Sequence, residues 1–527
     1  MTKEFHPAKD PHAMNLYADA ILETCSRKKL GLKATLDIFL PKMAKEFGAD
    51  AAAIGTRNED LENEVFKWKT SPSFDLAKTP AKPALKLSRG LRWISQPLDL
   101  AGRRVGTLAF GYKRPVNLDE NYRTLLNAVC EELDGTLWNI NTAAVKQKLM
   151  EKVTRCLTRS VLREALDEAV AALHSEIPFL HLGLVYRNED AAEGERIQYR
   201  IYRGKRCVHD SEQKPHKALS GAIKANGIHL LDPDRHMVRR LLGLREGIGF
   251  TLSGQAAGSS QLGKLVTDVK GGLSPFGRDL MQIFGNSISQ RLIDYNRERR
   301  HMAQFFSPST VSELLSDPDY MRKHLSPRVK KIGILYVDIN SFTKLCEKGL
   351  RRPDRIGEFV DLWSEGAVRI AWKHGGTFDK MVGDCVIAHF GPPFFRESPA
   401  ACARKAVLAA LEIQGFTARL GNLPRYRGLA AKIKAKGLGV AAGINLCEAA
   451  VGLFGPNHDF TAFSSGMNQT ARLQSKGTFR ETLIMDSAKD ALQKAGLARG
   501  LRFEGPYETE AKNVAKPLRY FKMKSLK

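Results

Sequence analysis

Apolar positions in the last 200 residues alternate between two periodicities. A continuous apolar run at 332–339 predicts a buried strand, and apolar residues at helical spacing follow it over 359–368. A Gly-Gly break then leads to a second predicted strand at 385–390. Strands that alternate with helices in this way indicate an α/β or α+β domain, which we place at residues 326–527.

The first 297 residues contain a weak internal duplication at a constant offset of 155 positions. Each copy has a short strand-like segment followed by apolar residues at amphipathic helical spacing. Two copies so far apart predict tandem domains, at residues 15–145 and 150–297, and not a solenoid. The matched positions are Leu118, Arg123, Leu125, Leu126, Val129, Leu133 and Leu137 in the first copy, and Leu273, Arg278, Leu280, Met281, Phe284, Ile288 and Leu292 in the second.

The helix of the second copy is predicted to continue as a linker over residues 281–306. Its apolar positions alternate at spacings of 4 and 3, which is typical of a coiled-coil seam that would pair two chains in parallel. The same spacing also fits core packing within one domain, and the sequence leaves both interpretations open. We expect Pro308 to end this helix.

Composition places the chain among multidomain proteins of ordinary globular type. The chain has 527 residues, 43% of them hydrophobic and 26% charged. No apolar stretch reaches the roughly 18 residues that span a bilayer, and residues 1–6 lack the apolar core of a signal peptide. The eight cysteines form no C-x-x-C pair, which favours free thiols over a zinc site or a disulfide framework. We therefore expect a cytoplasmic protein with no membrane span.

A net charge of +25 attracts polyanions of several kinds, including nucleic acids and nucleoside triphosphates. Nucleic acid is a disfavoured partner, because the basic residues form no stripe interleaved with aromatic residues and no known nucleic-acid module. A basic nucleic-acid-binding protein nevertheless stays as an alternative function, and it predicts steeply salt-dependent binding.

Two aspartates carry the strongest chemical signal. Asp338 closes the apolar run 332–339, and Asp384 follows Lys380 by four positions, just before the strand 385–390. Carboxylates are the ligands that magnesium prefers, and two divalent ions can bind a triphosphate between them. Backbone N–H groups at 340–343, in a strand-to-helix turn, are candidates to bind its phosphates.

Three further residues match a nucleotide site. Asn468 and Arg472 lie at i and i+4 of one predicted helix, so they project from the same helix face. The guanidinium fork of arginine fits two phosphate oxygens. Thr461 offers a donor and an acceptor to a base edge, and Lys380 offers a donor to a purine acceptor.

These motifs resemble the catalytic domain of class III nucleotide cyclases, in the same order, over residues 326–523. The similar segments are Val337-Asp338-Ile339-Asn340-Ser341-Phe342-Thr343, the run from Gly375 to Asp384, the run from Gly443 to Gly455, and the run from Asp459 to Leu473. Residues 15–145 and 150–297 resemble GAF domains, which are α/β sensory modules. The resemblance implies two GAF-like domains followed by a cyclase domain with a ferredoxin-like βαββαβ core.

The resemblance implies a role for each site residue in an adenylate cyclase of the threonine-type subclass. Asp338, Ile339 and Asp384 would bind two Mg²⁺ or Mn²⁺ ions per site. Lys380 and Thr461 would recognise the adenine of ATP, and Phe342 and Thr343 would contact the substrate. Asn468 and Arg472 would be the catalytic residues, on the ribose and the α-phosphate. The sites would form in a homodimer, two per dimer, because the metal carboxylates and the other roles come from different subunits in that family.

Two departures from the family pattern leave an alternative open, a weakly active or silent cyclase-like domain that serves mainly in signalling and binding. Ala441 stands where the family often has a phosphate-binding arginine, and Ser464 where it usually has glycine. Lys512 is a candidate replacement for the missing charge. A diguanylate cyclase is disfavoured, since no G-G-[DE]-E-F run occurs. The ligand of the GAF-like domains, an unknown small molecule if there is one, does not follow from the sequence.

Overall fold

A computed structural model of the chain describes most of its residues and three separate β-sheets. Among the described residues, no helix is both long and apolar enough to cross a bilayer. The described ranges are 10–58, 60–69, 90–100, 103–116, 118–188, 197–232, 237–244, 247–253, 261–509 and 517–525.

The first sheet has four antiparallel strands in the order β2-β1-β4-β3. The apolar face of α2 packs on β1 and β2, and the core continues onto the long helix that follows β4. That helix passes without a break through the predicted boundary between residues 145 and 150. The elements are α1 (Pro11–Arg27), α2 (Leu32–Glu46), β1 (Ala51–Arg57), β2 (Asn63–Trp68), β3 (Arg92–Leu100), β4 (Arg103–Tyr112) and α3 (Glu120–Leu157).

The second sheet has five antiparallel strands in the order β7-β6-β5-β9-β8. Short helices cover one face of this sheet, where their apolar residues join those of β5 and β6 in one core. The elements are α4 (Leu162–Glu176), β5 (His181–Arg187), β6 (Ile197–Arg203), β7 (Arg206–Asp210), α5 (Lys217–Asn226), α6 (Met237–Leu241), β8 (Ile248–Ser253), β9 (Gln261–Asp268) and α7 (Pro275–Ala303).

The two halves of the duplication occupy equivalent places, each with a last strand, β4 or β9, that leads into a long helix. Most of the paired apolar positions are buried in both copies, for example Val129 with Phe284 and Leu133 with Ile288. The two copies of the sequence repeat thus form the same unit, a strand followed by a long helix. The assignment of these units to the GAF family stays a prediction.

The predicted linker helix forms as part of α7. The heptad positions that the sequence singled out, among them Met281, Ile288 and Leu292, are buried within this chain. In this structure their side chains therefore pack as an internal core face and not as an exposed seam. The expectation for Pro308 is wrong, because α7 ends at Ala303 and Pro308 is the first residue of the next helix, capped by Ser307.

The third sheet has eight strands in the order β11-β12-β10-β13-β15-β17-β16, with β14 paired to β13. This part confirms a mixed α/β domain, whereas its ferredoxin-like description stays a prediction. The elements are α8 (Pro308–Leu314), β10 (Arg328–Ile339), α9 (Phe342–Lys344), α10 (Pro353–Lys373), β11 (Gly376–Val382), β12 (Cys385–Phe390), α11 (Pro399–Leu420), α12 (Leu429–Lys432), β13 (Val440–Phe454), β14 (Asp459–Phe463), α13 (Ser465–Ser475), β15 (Thr482–Met485), α14 (Asp486–Lys494), β16 (Leu501–Thr509) and β17 (Leu518–Ser525).

The two faces of this sheet differ in character. Leu335 and Val337 of β10 and Ala388 of β12 belong to the core that α10 and α11 cover. Because side chains alternate along a strand, Tyr336 and Asp338 point to the opposite face. That opposite face carries the candidate site.

Candidate active site

Asp338 and Asp384 lie next to each other at one end of the central strands. Asp338 pairs with Cys385 across β10 and β12, and Asp384 occupies the two-residue turn between β11 and β12. Gly383 in this turn has φ of +63°, a left-handed conformation that glycine adopts without strain. The backbone N–H of Ile339 donates to Asp384 Oδ2 at 3.2 Å, which fixes that carboxylate beside Asp338.

The carboxyl groups of Asp338 and Asp384 lie within hydrogen-bonding range of each other, and this proximity helps to raise the pKa of Asp384. Burial, followed by the hydrogen bond and the charge of Asp338, raises the pKa of Asp384 to about 7. Both groups also raise the pKa of the nearby Cys385 thiol, where burial is the larger cause. Two carboxylates so close together lower each other's acidity unless a cation neutralises them.

The oxygen atoms of this carboxylate pair are donors of the type that divalent cations prefer. Two hard oxygen donors converge without a lysine or arginine in ion-pair contact with either, among the residues that the structure describes. No group of three or more His, Cys, Asp or Glu side chains with metal-ligand spacing occurs among those residues. Backbone carbonyls, such as that of Ile339, and groups outside the chain are candidates for the further ligands.

Helix α13 approaches the carboxylate pair closely. Gln474 Nε2 donates to Asp338 Oδ2 at 3.4 Å. The approach depends on Gly443 of β13, where a Cβ would lie 2.8 Å from the Gln474 nitrogen and 2.9 Å from the Thr470 carbonyl oxygen. Gln474 did not stand out in the sequence, since its only signal was its place on the buried side of the helix that carries Arg472.

The catalytic candidates Asn468 and Arg472 both lie on α13. Asn468 is exposed and Arg472 is half-buried. Ser464 is the N-cap of this helix, with its hydroxyl accepting a bond from the Met467 N–H at 3.2 Å. Ser464, one of the two departures from the pattern that the sequence resembles, therefore has a structural role. It caps the helix that carries Asn468 and Arg472.

Lys380 and Thr461 lie on strands that approach each other, β11 and β14. The Lys380 side chain is 49% exposed, and its Nζ lies 3.8 Å from Oδ1 of the buried Asp379. Thr461 is only 4% exposed, and its hydroxyl has no hydrogen-bond partner within the described part of the chain. An unsatisfied buried hydroxyl and an accessible ammonium are each suited to binding polar groups of a ligand.

The buried Asp379 lies next to a second buried titratable side chain, that of His389. The His389 Nε2 lies 3.6 Å from Asp379 Oδ2, and both side chains are fully buried. Burial lowers the pKa of His389, although the charge of Asp379 acts in the opposite direction. The sequence pattern did not identify this pair, because the two residues come from different strands.

Strand register places Lys380 and Asp338 on the same face of the sheet. Lys380 pairs with Ile387, and Ile387 pairs with Tyr336, two residues before Asp338. Paired residues share a face, so the side chains of β11, β12 and β10 at these positions all project away from α10 and α11. The lysine and the carboxylate are two strands apart, roughly 10 Å at the usual strand spacing.

The turn after β10 is held in place by hydrogen bonds between Asn340 and two other segments of the chain. Ser341 has φ of +58°, and it precedes the short helix α9 that contains Phe342 and the exposed Thr343. Asn340 accepts a bond from the Arg480 N–H at 3.1 Å, and its N–H donates to Gly439 O at 3.0 Å. The structure thus places Phe342 and Thr343 directly after the carboxylate strand, although their contact with a substrate stays a prediction.

Ala441 lies in a site where a long side chain has no room. It is 3% exposed, pairs with Asp338, and packs against Gly477, where an added Cβ would lie 2.9 Å from the Ala441 Cβ. Lys512, the suggested source of replacement charge, lies outside the described residues.

Comparisons with known proteins give partial matches. No model of a known family matches the chain. Over 123 residues, 22% of the chain, the sequence is 32% identical to the photoactivated adenylate cyclase subunit alpha-like protein FB of Euglena gracilis. The match spans 10% of the length of that Euglena protein.

Solved structures of nucleotide cyclases are also similar to part of the chain. The adenylyl cyclase CyaB from P. aeruginosa is 25% identical, with a TM-score of 0.34, over 38% of this chain and 98% of CyaB. The guanylyl cyclase Cya2 is 22% identical, with a TM-score of 0.33, over 38% of this chain and 95% of Cya2.

Proposed function

We propose that this chain is an adenylate cyclase that converts ATP to 3′,5′-cyclic AMP and pyrophosphate. The observation that carries the proposal is the contact between Asp338 and Asp384, on the sheet face to which Lys380 also projects. The Euglena relative bears the name of an adenylate cyclase, which supports the same reaction class.

Asp338 and Asp384 would hold two Mg²⁺ or Mn²⁺ ions, with the Ile339 carbonyl as a further ligand. Such ions, when bound, supply charge neutralisation for a triphosphate. The chain contributes the positions of its ligands, since the Ile339 N–H fixes Asp384 and Gln474 holds Asp338. This support keeps the carboxylates together despite their repulsion.

Base recognition would involve Lys380 and Thr461. Adenine presents a ring acceptor that an ammonium group can satisfy and an amino group that a hydroxyl oxygen can accept. Guanine carries N–H donors at the corresponding ring edge, so a lysine there is a poor match for it. These two side chains are therefore our reason for preferring ATP to GTP.

The remaining roles concern positioning and charge. The 3′-oxygen of the ribose would attack the α-phosphorus, forming the cyclic ester bond as the bond to pyrophosphate breaks, and the hydroxyl proton leaves to water or phosphate. Both reacting groups belong to one molecule, so the enzyme mainly holds ATP in a near-attack geometry. Asn468 would orient the ribose, and Arg472 would stabilise charge on the α-phosphate.

A homodimer with two equivalent sites completes the proposal. The metal carboxylates would come from one subunit, and Lys380, Thr461, Asn468 and Arg472 from the other, as the resemblance implies. The sheet face that carries Asp338 and Lys380 would then meet its counterpart on a second copy. The N-terminal GAF-like domains would regulate the rate.

One observation favours a second candidate, a cyclase-like domain with little catalysis. Ala441 is enclosed by Gly477 and by its partner strand, so no arginine occupies that place. Such a domain would still bind ATP and would act in signalling through binding.

The direct test is cyclic AMP formation by the purified full chain with ATP and Mn²⁺. We expect Asp338→Ala to lower the rate by about a hundredfold or more, because metal ions contribute several kcal/mol to stabilising transition-state charge. Asp361→Ala, which removes an exposed aspartate of α10, is the matched control and should keep the wild-type rate. Equal rates in wild type and Asp338→Ala would refute the proposal, whereas ATP binding without turnover would support the second candidate.

A further inference from the structure

A cavity of 710 Å³ lies beside the second sheet, bordered by β6, α5, the end of α7 and α8. Its volume falls in the range of pockets that hold small ligands, about 300–1,000 Å³. Most of the residues that line it have polar side chains, among them Tyr199, Ser211, Ser220, Arg299 and Ser312.

Arg299 is a buried cation with no acidic partner. It is 2% exposed, and its Nη1 donates to the Tyr295 hydroxyl and to Ser312 Oγ, both at 3.3 Å. Its Nε has no hydrogen-bond partner, and no carboxylate lies within ion-pair distance of it in the described part of the chain. A buried charge with only neutral partners is costly unless an anion joins it.

The carboxylate that lines the same cavity is already neutralised. Glu212 accepts hydrogen bonds from Arg163 at 3.1 Å and from Gln198 at 3.0 Å. Lys224 at the exposed side of the cavity adds a second positive charge to that of Arg299. The cavity is therefore electrostatically suited to an anion.

A buried neutral side chain in the cavity also needs a hydrogen-bond partner. Asn188 is 2% exposed, lines the cavity, and its Oδ1 has no partner within the described residues. An unsatisfied amide oxygen calls for a hydrogen-bond donor. The Tyr199 hydroxyl, which pairs with Ser220 Oγ at 2.8 Å, offers additional polar contact.

We propose that this cavity binds a small organic anion, a carboxylate or a phosphate monoester, that also carries a hydroxyl or amino donor. Arg299 binds the anionic group, and Asn188 accepts from the donor. The lining contains none of the candidate active-site residues, so the proposal stands or falls independently of cyclase activity.

Isothermal titration of the full chain, without divalent cations, tests the proposal with three probes. Malate represents hydroxylated carboxylates, glycerol 3-phosphate represents phosphate esters, and glycerol is the uncharged control. We expect at least one anionic probe to bind while glycerol does not. The proposal is overturned if neither anion binds, or if glycerol binds as well as the anions.

Variants locate the bound anion. Arg299→Met should raise the Kd by about tenfold to a hundredfold, the usual effect of losing a hydrogen bond to a charged group. Arg297→Met, on the exposed side of the same helix, should bind as wild type. Retained binding in Arg299→Met, or loss in Arg472→Met, would place the anion elsewhere and overturn the proposal.

A second variant guards against misfolding of the buried substitution. Ser309 lines the cavity from an exposed position on α8, so Ser309→Trp fills the space and leaves Arg299 in place. We expect it to weaken binding of the anionic probe at least about tenfold, as steric exclusion from a pocket predicts. Unchanged affinity in this variant would contradict the assigned cavity.

Discussion

At the scale of single residues, the chemistry depends on two carboxylates held in contact against their mutual repulsion. The Ile339 N–H and Gln474 hold Asp384 and Asp338 in place, and the raised pKa of Asp384 reflects burial and the second carboxyl group. Such an arrangement lowers the stability of the metal-free protein and creates a site that a cation stabilises. Removing one of the two charges should therefore change the stability of the metal-free protein.

Asp384→Asn should stabilise the metal-free protein at pH 8. The folded pKa of Asp384, about 7, lies above the unfolded value of roughly 3.9, so the folded protein retains this proton more strongly. The stability that protonation provides is complete below the unfolded pKa and is lost as pH rises through 7. Because the group is half exposed, we expect a gain of about 1 kcal/mol at pH 8 and less at pH 5. Denaturant unfolding at the two pH values measures this difference, and a variant that is less stable than wild type at pH 8 would contradict it.

Lys380→Glu combined with Thr461→Cys should shift substrate preference from ATP toward GTP. A carboxylate accepts from the ring N–H groups of guanine, and it replaces the ammonium that matches adenine. We expect the ratio of kcat/KM for ATP over GTP to fall by about tenfold or more, the value of one charged hydrogen bond. An unchanged ratio would contradict the proposed roles of Lys380 and Thr461 in base recognition. Lys373→Glu, an exposed lysine on α10, is the matched charge control.

At the scale of elements, the position of α13 determines whether its residues reach a nucleotide. The helix lies directly on β13 at Gly443, and it contacts the carboxylate strand through Gln474. The linker after α7 reaches the same region, since the Phe305 carbonyl accepts bonds from the Phe378 N–H at 2.9 Å and from Trp372 Nε1 at 3.1 Å. Strand β11, which carries Lys380, is therefore attached to the segment that follows α7.

Gly443→Ala should destabilise the protein and lower its activity. The new methyl group would lie 2.8–2.9 Å from backbone atoms of α13, so the helix must move away from the sheet. Overpacking of this kind costs about 1–3 kcal/mol. Gly357→Ala, in the exposed part of α10 where a Cβ meets nothing within 4 Å, should be neutral or slightly stabilising. Equal thermal stability in the two variants would contradict the described packing of α13.

Much of this element pattern was predictable, and the exceptions have physical reasons. The apolar run 332–339 predicted β10, which begins earlier, at Arg328, because exposed Val329, Lys330 and Lys331 pair with β13 by backbone bonds that leave no apolar signal. The helix at 281–306 was also predicted. Its pattern did not reveal which partner buries it, since the same spacing serves a coiled coil and an internal core.

At the scale of the whole molecule, sequence motifs singled out candidate site residues but did not show how these residues meet. The contact of Asp338 with Asp384 and the buried pair of Asp379 with His389 arise from strand pairing, and no local pattern encodes that register. The cavity around Arg299 was also not predicted, because its lining comes from several elements and loops that are separate in the sequence. Local sequence thus specified the residue types, and tertiary pairing specified their neighbours.

Mixing two inactive variants should restore activity if each site combines residues of two subunits. Asp338→Ala lacks a proposed metal ligand, and Arg472→Ala lacks the arginine proposed to bind phosphate. A mixed dimer would contain one intact site, so equal amounts that exchange freely should recover roughly a quarter of the wild-type rate by random pairing of two kinds of subunit. The activity of the mixture, measured after subunit exchange, tests this. A mixture no more active than its components would contradict a shared site.

The most direct measurement of the central claim is phosphorus NMR of the full chain incubated with ATP and Mn²⁺, with the metal removed by a chelator before detection. We predict cyclic AMP and pyrophosphate in equal amounts, and about a hundredfold less of both, or none, in the Asp338→Ala variant after the same time. ATP that stays intact, or ADP and orthophosphate in place of these products, would contradict the assignment of this chain as an adenylate cyclase.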